Sequence, residues 1–219
     1  MPTFSEIQAQ SDRRSLVRKT PRAVAFLAPV TAALPEALTD ASGVLQALPV
    51  DYKPVGIVTA DGYTFGSEIE KEDIDALGYA SPVRSDITRV ARSITFTSME
   101  TGRRHMLELQ YGTDLSATTQ AASGEIVFEE PDLPIGSEYR LVVIGDDGPA
   151  AANWLIGRGY PRVKLASVGE ETYAKEGALQ REITLDVFTD DELGFPVRHY
   201  IAGTGAKAAA DDLGFTQGV

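Results

Sequence analysis

The sequence predicts a mainly β protein, an antiparallel sandwich or barrel carrying one or two short helices. Three observations predict it. Short β-prone runs recur along the chain, from AVAFLAPV (23–30) through EYRLVVIGDD (138–147) and QREITLDVFT (180–189) to FPVRHYIAG (195–203). Glycine, proline and aspartate clusters punctuate them at Asp146-Asp147-Gly148, Gly157 to Pro161 and Asp190 to Pro196, the spacing of strands joined by tight turns. VARSITFTSM (90–99) alternates Ile94 and Phe96 with Ser93, Thr95 and Thr97, the two-residue period of a strand with one face buried.

Residues 1–22 read as a polar, mobile arm, because Ser, Gln, Arg and Lys dominate and no apolar period is sustained. Order is expected from Ala23, where AVAFLAPV suggests a buried strand. LPEALTDASGVLQALP (34–49) reads as turns punctuated by Pro35, Gly43 and Pro49. Asp61-Gly62 lies between GIVTA and YTF as a tight hairpin pair. From Glu68 to Asp75, five carboxylates surround Lys71, and Glu68 to Ile87 is read as one long excursion from the core. Connections of about 20 residues are uncommon in compact domains and usually have a task of their own.

Ser98 is placed to cap a helix over Met99–Tyr111, with Met99, Met106, Leu107 and Leu109 on its core side and Gly112 as terminator. Gly102 weakens that helix by about 1 kcal/mol relative to alanine. Six strands are then expected: GEIVFEE (124–130), EYRLVVIGDD, AANWLIG (151–157), PRVKLASVG (161–169), QREITLDVFT and FPVRHYIAG. The domain organisation is an arm at 1–22, one β domain at 23–203 and a tail at 204–219.

With 219 residues, 43% of them hydrophobic and 24% charged, the chain has the composition of a protein with one sizeable core. Cysteine is absent and only His105 and His199 are present, which removes disulfides, thiol nucleophiles and cysteine-based zinc sites. The net charge is −12, unevenly spread. The arm carries Arg13, Arg14, Arg18, Lys19 and Arg22 against Glu6 and Asp12, leaving 15 basic and 30 acidic groups for the remainder. A body so acidic repels phosphate and is a poor specific binder of nucleic acid. The apolar run at 23–34 is short and interrupted by Pro29 and Thr31, so neither a signal peptide nor a membrane span is expected.

No catalytic, cofactor-binding or metal-binding residue is predicted. Gly203, Gly205 and Ala208 form a GxGxxA after a strand, yet the second strand and distal acidic residue that dinucleotide binding requires do not follow. The two histidines share no metal-ligand spacing, and neither a GxSxG elbow nor a GxxxxGK loop occurs. Asp146-Asp147, Glu170-Glu171, Asp190-Asp191 and Asp211-Asp212 sit in turns or beside glycine, where carboxylates are ordinary surface residues.

Taken in order, PVGIVTADGYTF (54–65), PVRSDIT (82–88), SITFTSMETGRRHMLELQYG (93–112), SGEIVF (123–128), YRLVVIGDDG (139–148), GYPRVKL (159–165) and ITLDVFTDDELGFPV (183–197) resemble the major tail tube proteins of long-tailed, siphovirus-type bacteriophages, especially actinobacterial ones. The resemblance spans residues 44–203. It implies a β-sandwich or split barrel with a flanking helix and a long assembly loop, in a non-enzymatic protein that forms stacked, hexameric rings. Inner strands of such rings line a lumen through which double-stranded DNA passes without specific binding.

On this resemblance, residues 68–87 form the inter-ring loop, with Glu70, Glu72, Pro82, Val83, Arg84 and Asp86 as contact residues. The arm, through Arg13 and Arg14, is a second connector that pairs with an acidic patch on a neighbouring subunit. The implied partners are further copies of the chain and the tape measure, terminator and distal tail proteins, in a virion tail assembled in the host cytoplasm. The alternatives are a tail terminator or contractile-system tube subunit, then a carbohydrate-binding β-sandwich, then a hydrolase.

Overall fold

The computed structural model describes residues 2–216. The run Leu141-Val142-Val143-Ile144 is apolar at every position and buried at every position. It therefore belongs to a strand covered on both faces, and the fold is arranged around it.

That strand is β5 (Glu138–Asp147) of one antiparallel, eight-stranded sheet. The others are β1 (Arg22–Pro29), β2 (Lys53–Pro54), β3 (Val58–Ile74), β4 (Arg84–Ser98), β6 (Trp154–Val168), β7 (Arg181–Phe188) and β8 (Arg198–Ala202). Their order is β2-β1-β5-β6-β7-β4-β3, with β8 attached to β6 alone. Among the described residues, four short α-helices accompany the sheet: α1 (Phe4–Ser11), α2 (Arg104–Tyr111), α3 (Thr204–Ala208) and α4 (Ala210–Leu213). The mainly antiparallel β architecture stands as the sequence predicts.

The sheet forks at Pro161. β5 runs along one edge of β6; the other edge pairs with β8 at Leu155–Gly159 and with β7 at Arg162–Val168. Proline offers no N–H to a neighbour, so the residue least able to support a ladder stands where one branch ends and the next begins. Across on β5, the register slips between Tyr139 and Leu141, a bulge that accommodates the proline inside a strand. Gly157 to Pro161, read as a turn, is thus the middle of one long strand.

Two apolar clusters lie on opposite faces of β5. Leu141 and Val143 join Ala25 and Leu27 of β1, Ile94 and Phe96 of β4, Ile183 and Leu185 of β7, and Met106 and Leu109 of α2. Val142 and Ile144 join Leu34, Leu38, Tyr52, Leu155 and Tyr200. Residues of β1 and β4 meet although three strands separate them, so the sheet curls toward a barrel. Phe65 of β3 stacks on Tyr160 of β6 with centroids 6.3 Å apart, across that interior. The sheet does not close. Instead the chain crosses the split between β2 and β3, where the buried Val55 donates its N–H to the Ala25 carbonyl at 2.9 Å.

Several local expectations are corrected. Asp61-Gly62 does not reverse the chain; it occupies a register shift between Val58 and Tyr63 within β3, with Gly62 at φ 71°. The helix begins at Arg104, because Ser98 is held in the sheet opposite Val58 and Arg181 and is buried there. Its end agrees, with Gly112 left-handed at φ 58°. GEIVFEE forms no ladder, and residues 1–22 include α1 with a Thr3–Glu6 capping box, all of whose residues are exposed.

Arg140 and Asp190 are both buried and their charged ends are 3.7 Å apart. Asp190 Oδ1 also accepts the backbone N–H groups of Glu192 and Leu193 at 3.0 and 2.8 Å, tying the β7–β8 turn to β5. Removing one partner of such a pair strands a buried charge, whereas replacing both need not destabilise. Asp190→Ala is predicted to cost about 3–5 kcal/mol in urea unfolding, and the double change Arg140→Met, Asp190→Leu to restore most of that loss.

Candidate assembly interface

Glu68 to Ile87 is a β-hairpin. β3 and β4 remain paired from Glu68–Ala91 out to Ile74–Arg84, and residues 75–83 make the turn, which Val83 closes by donating its N–H to the Ile74 carbonyl at 2.9 Å. β4 pairs with β7 only from Arg92 to Ser98, so the hairpin leaves the body as a two-stranded arm. At about 3.3 Å per residue, Glu68 to Ile74 alone reaches about 20 Å.

A single extra residue sorts the faces of this arm. Glu70 faces Arg89 but Lys71 faces Ile87, leaving Thr88 unmatched in a bulge. Without it, Ile87 would fall in the same row as Glu70 and Glu72. With it, the row that begins in the core at Phe65 and Ile94 continues outward past Ser67 opposite Arg92 to Ile69 opposite Val90 and then Ile87 opposite Lys71. Ile69 and Ile87 are exposed, as are Ile74, Leu77, Tyr79 and Val83 toward the turn. The opposite row is charged: Arg89 pairs with Glu70 at 2.9 Å, Arg84 with Asp86 at 2.6 Å, and Glu72 stands directly across from Asp86.

Six of the eight residues singled out in the sequence lie on this arm. Glu70, Glu72, Arg84 and Asp86 form its charged face, and Pro82 and Val83 enter β4 from the turn. The apolar row of Ile69, Ile87 and Val90 was missed. Its signal, isolated aliphatic residues among polar ones, becomes visible only once the Thr88 bulge restores the phase. Arg13 and Arg14 sit elsewhere. Arg13 pairs with Asp212 of α4 at 3.6 Å and Ser15 hydrogen-bonds the same carboxylate, while Arg14 is exposed. Arg18 lies over the Trp154 ring and pairs with Asp147, and Arg22 pairs with Asp146. Much of the arm's positive charge is therefore matched within its own chain.

The remaining motifs resolve into packing and ion pairing. Gly203, at φ 101°, abuts the Asn153 carbonyl, and a Cβ on Gly205 would stand 2.6 Å from the Ala152 carbonyl oxygen, so this glycine pair lets α3 pack closely on the start of β6. Asp191 pairs with Arg162, and Glu171 with Arg181. His105 Nε2 lies 2.8 Å from the Pro54 carbonyl, tying α2 to β2, and burial holds its pKa below the ordinary histidine value. Among the described residues, no group of three or more His, Cys, Asp or Glu side chains is arranged to hold a metal ion.

No protein-family model matches the chain, and no curated protein matches it. Among solved structures it is similar to a chain of the sheath–tube complex of an extracellular contractile injection system in the extended state, with 8% identity over 93% of this chain and 99% of that one and a TM-score of 0.42. It is also similar to the tube-terminating cap of the anti-feeding prophage, with 10% identity over 89% and 97% and a TM-score of 0.45. A third likeness is to Hcp1 from Salmonella typhimurium, with 12% identity over 85% and 96% and a TM-score of 0.32. Likeness at these values is too slight to carry function across.

Glu72 and Asp86 are like charges directly opposite, an arrangement that weakens a ladder. Glu72→Lys is predicted to stabilise the isolated arm by about 0.5 kcal/mol, read as about twofold slower amide hydrogen exchange across residues 71–74. For His105, the unfolded chain takes up a proton near pH 6.5 while the folded chain does so only at lower pH. Stability is then lost as pH falls below about 6.5 until the folded-state pKa is passed. Melting curves between pH 7 and 5 are predicted to show that loss, and His105→Gln to reduce it.

Proposed function

We propose that this chain is a structural subunit that associates with copies of itself into stacked rings, building the tail tube of a siphovirus-type phage. The observation that carries the reading is the β3–β4 arm. A two-stranded hairpin is at best marginally stable alone in water, and this one extends a row of core residues beyond the body as exposed Ile69 and Ile87. An apolar row of that kind is suited to burial against a neighbour. The ordered sequence resemblance over residues 44–203 supplies the class of assembly, with hexameric rings and an actinobacterial phage as its finer detail.

On this reading Glu70, Glu72, Pro82, Val83, Arg84 and Asp86 contact the adjacent ring, with the charged face selecting the partner surface and the apolar face contributing most of the burial. Arg13 and Arg14 form the secondary contact. The tape measure, terminator and distal tail proteins are the remaining tail partners. The excess of carboxylates supports passage of DNA, since phosphate finds few attractive sites from which it must be released. The subunit performs no catalysis, and it is placed in the virion tail after assembly in the host cytoplasm.

Replacing residues 71–88 by Asn-Gly shortens the arm while retaining a hairpin turn. The shortened chain is predicted to unfold within about 1 kcal/mol of the original but to form no tubes under negative-stain microscopy in conditions where the full chain does. Tube growth by the shortened chain would remove the arm from its assigned role.

A further inference from the structure

The segment Glu125-Ile126-Val127-Phe128-Glu129-Glu130 has the composition of a strand and forms none. It lies in an irregular stretch between α2 and β5. Among the described residues, no backbone hydrogen bond ties residues 126–130 to other main chain. Ile126 and Val127 are 54% and 70% exposed. The segment is held near one point, where the Phe128 ring meets Tyr111 of α2 at 5.6 Å. The Glu125 carbonyl accepts the Ala121 N–H at 2.8 Å, while the main-chain groups of residues 126–130 are left without main-chain partners.

At the other side of the fold, β8 has the complementary deficiency. Among the described residues only one of its edges is paired, to β6, and beside it is a groove of about 570 Å³. Residues from both sides of the strand line it: Ala41 and Gly43 from the loop before β2, Ile201 from β8, and Ala206, Leu213 and Phe215 from the C-terminal helices and beyond. His199, Ile201 and Ala202 of β8 all line this groove, so it adjoins the strand. Ile201 and Phe215 are exposed there, with His199 and Lys207 also in its wall. The acidic member of the wall, Asp40, is already occupied by the backbone N–H groups of Ser42 and Val44 at 2.8 and 3.0 Å.

We propose that the 125–130 segment of one copy of this chain adds as a strand to the open edge of β8 in a second copy. Backbone groups pair along the edge, Ile126 or Val127 enters the apolar groove, and the segment's glutamates face His199 and Lys207, as in other recognition by strand addition. The donor belongs to the face that α2 covers, and the acceptor to the Tyr200 and Leu38 face. One chain therefore offers the two halves on different sides, a head-to-tail contact that propagates into a closed ring or an open helix. The proposal rests on the reading that copies associate, but its contact is separate from the β3–β4 arm.

The test uses a fluorescein-labelled peptide of residues 122–132 titrated with the full chain at concentrations where sizing shows a monomer. Saturable anisotropy is expected, weakening with salt and by about tenfold or more with Ile201→Asp in the chain. The Val127→Pro peptide, which cannot complete the ladder, is expected not to bind. Absence of saturable binding, or equal binding by either variant, overturns the proposal. Because the chain has no cysteine, Val127→Cys and Ile201→Cys chains can be mixed and oxidised, and a disulfide-linked pair specific to the mixture is the expected second readout. Microscopy separates the two readings. Tubes formed by a chain that does not bind the peptide retain the tube role and discard this contact; peptide binding by a chain that never forms tubes does the reverse.

Discussion

Burial of β5 on both faces is the constraint from which the rest of the fold follows. A strand apolar at four successive positions cannot rest on one layer, so material must cover it from two sides, and a single sheet of eight strands has only limited ways to supply it. Curling the sheet brings β4 and β7 over one face. The irregular chain between β1 and β2, together with β8, covers the other. The fork at Pro161 permits both at once, because it lets β6 serve two branches of the sheet along one edge.

How much of this is legible in the chain depends on whether a residue type has one structural use or several. Ile94, Phe96, Ile183 and Leu185 announce their faces by simple alternation, and they lie where alternation puts them. Gly62 and Pro161 read as turns, yet a bulge and a fork use the same conformational properties without reversing the chain. GEIVFEE reads as a strand because propensity describes one chain, whereas a ladder needs a partner edge. The candidate site divides in the same way. Its charged members stand out in sequence, while the phase of its aliphatic members is hidden by the Thr88 bulge. A two-period template with no allowance for an inserted residue places Ile87 on the wrong face.

Charge has an organising role that the net value conceals. In four of the adjacent carboxylate pairs, at least one member is engaged by an arginine of the same chain: Asp146 and Asp147 by Arg22 and Arg18, Glu171 by Arg181, Asp190 and Asp191 by Arg140 and Arg162, Asp212 by Arg13. Arg13, Arg18 and Arg22 are thereby drawn to α4 and β5, and Arg13 fastens the segment after α1 to Asp212. The Arg13–Asp212, Arg22–Asp146 and Arg162–Asp191 pairs each have an exposed partner and are individually weak. The buried Arg140–Asp190 pair differs, since it fixes a turn to the central strand.

The ordered pairing within the β3–β4 arm bears on the free energy of association. A flexible loop of about 20 residues that folded only on contact would lose about 1–2 kcal/mol of backbone conformational entropy for each residue ordered, a penalty that would consume most of the gain from a modest apolar surface. In the arm, the ladder from Glu68 to Arg84 has already restricted the backbone before any encounter. In the proposed association, burial of Ile69 and Ile87 would then appear more fully as affinity. In the proposed assembly such a hairpin would make a small contact strong by making the search for its bound shape short.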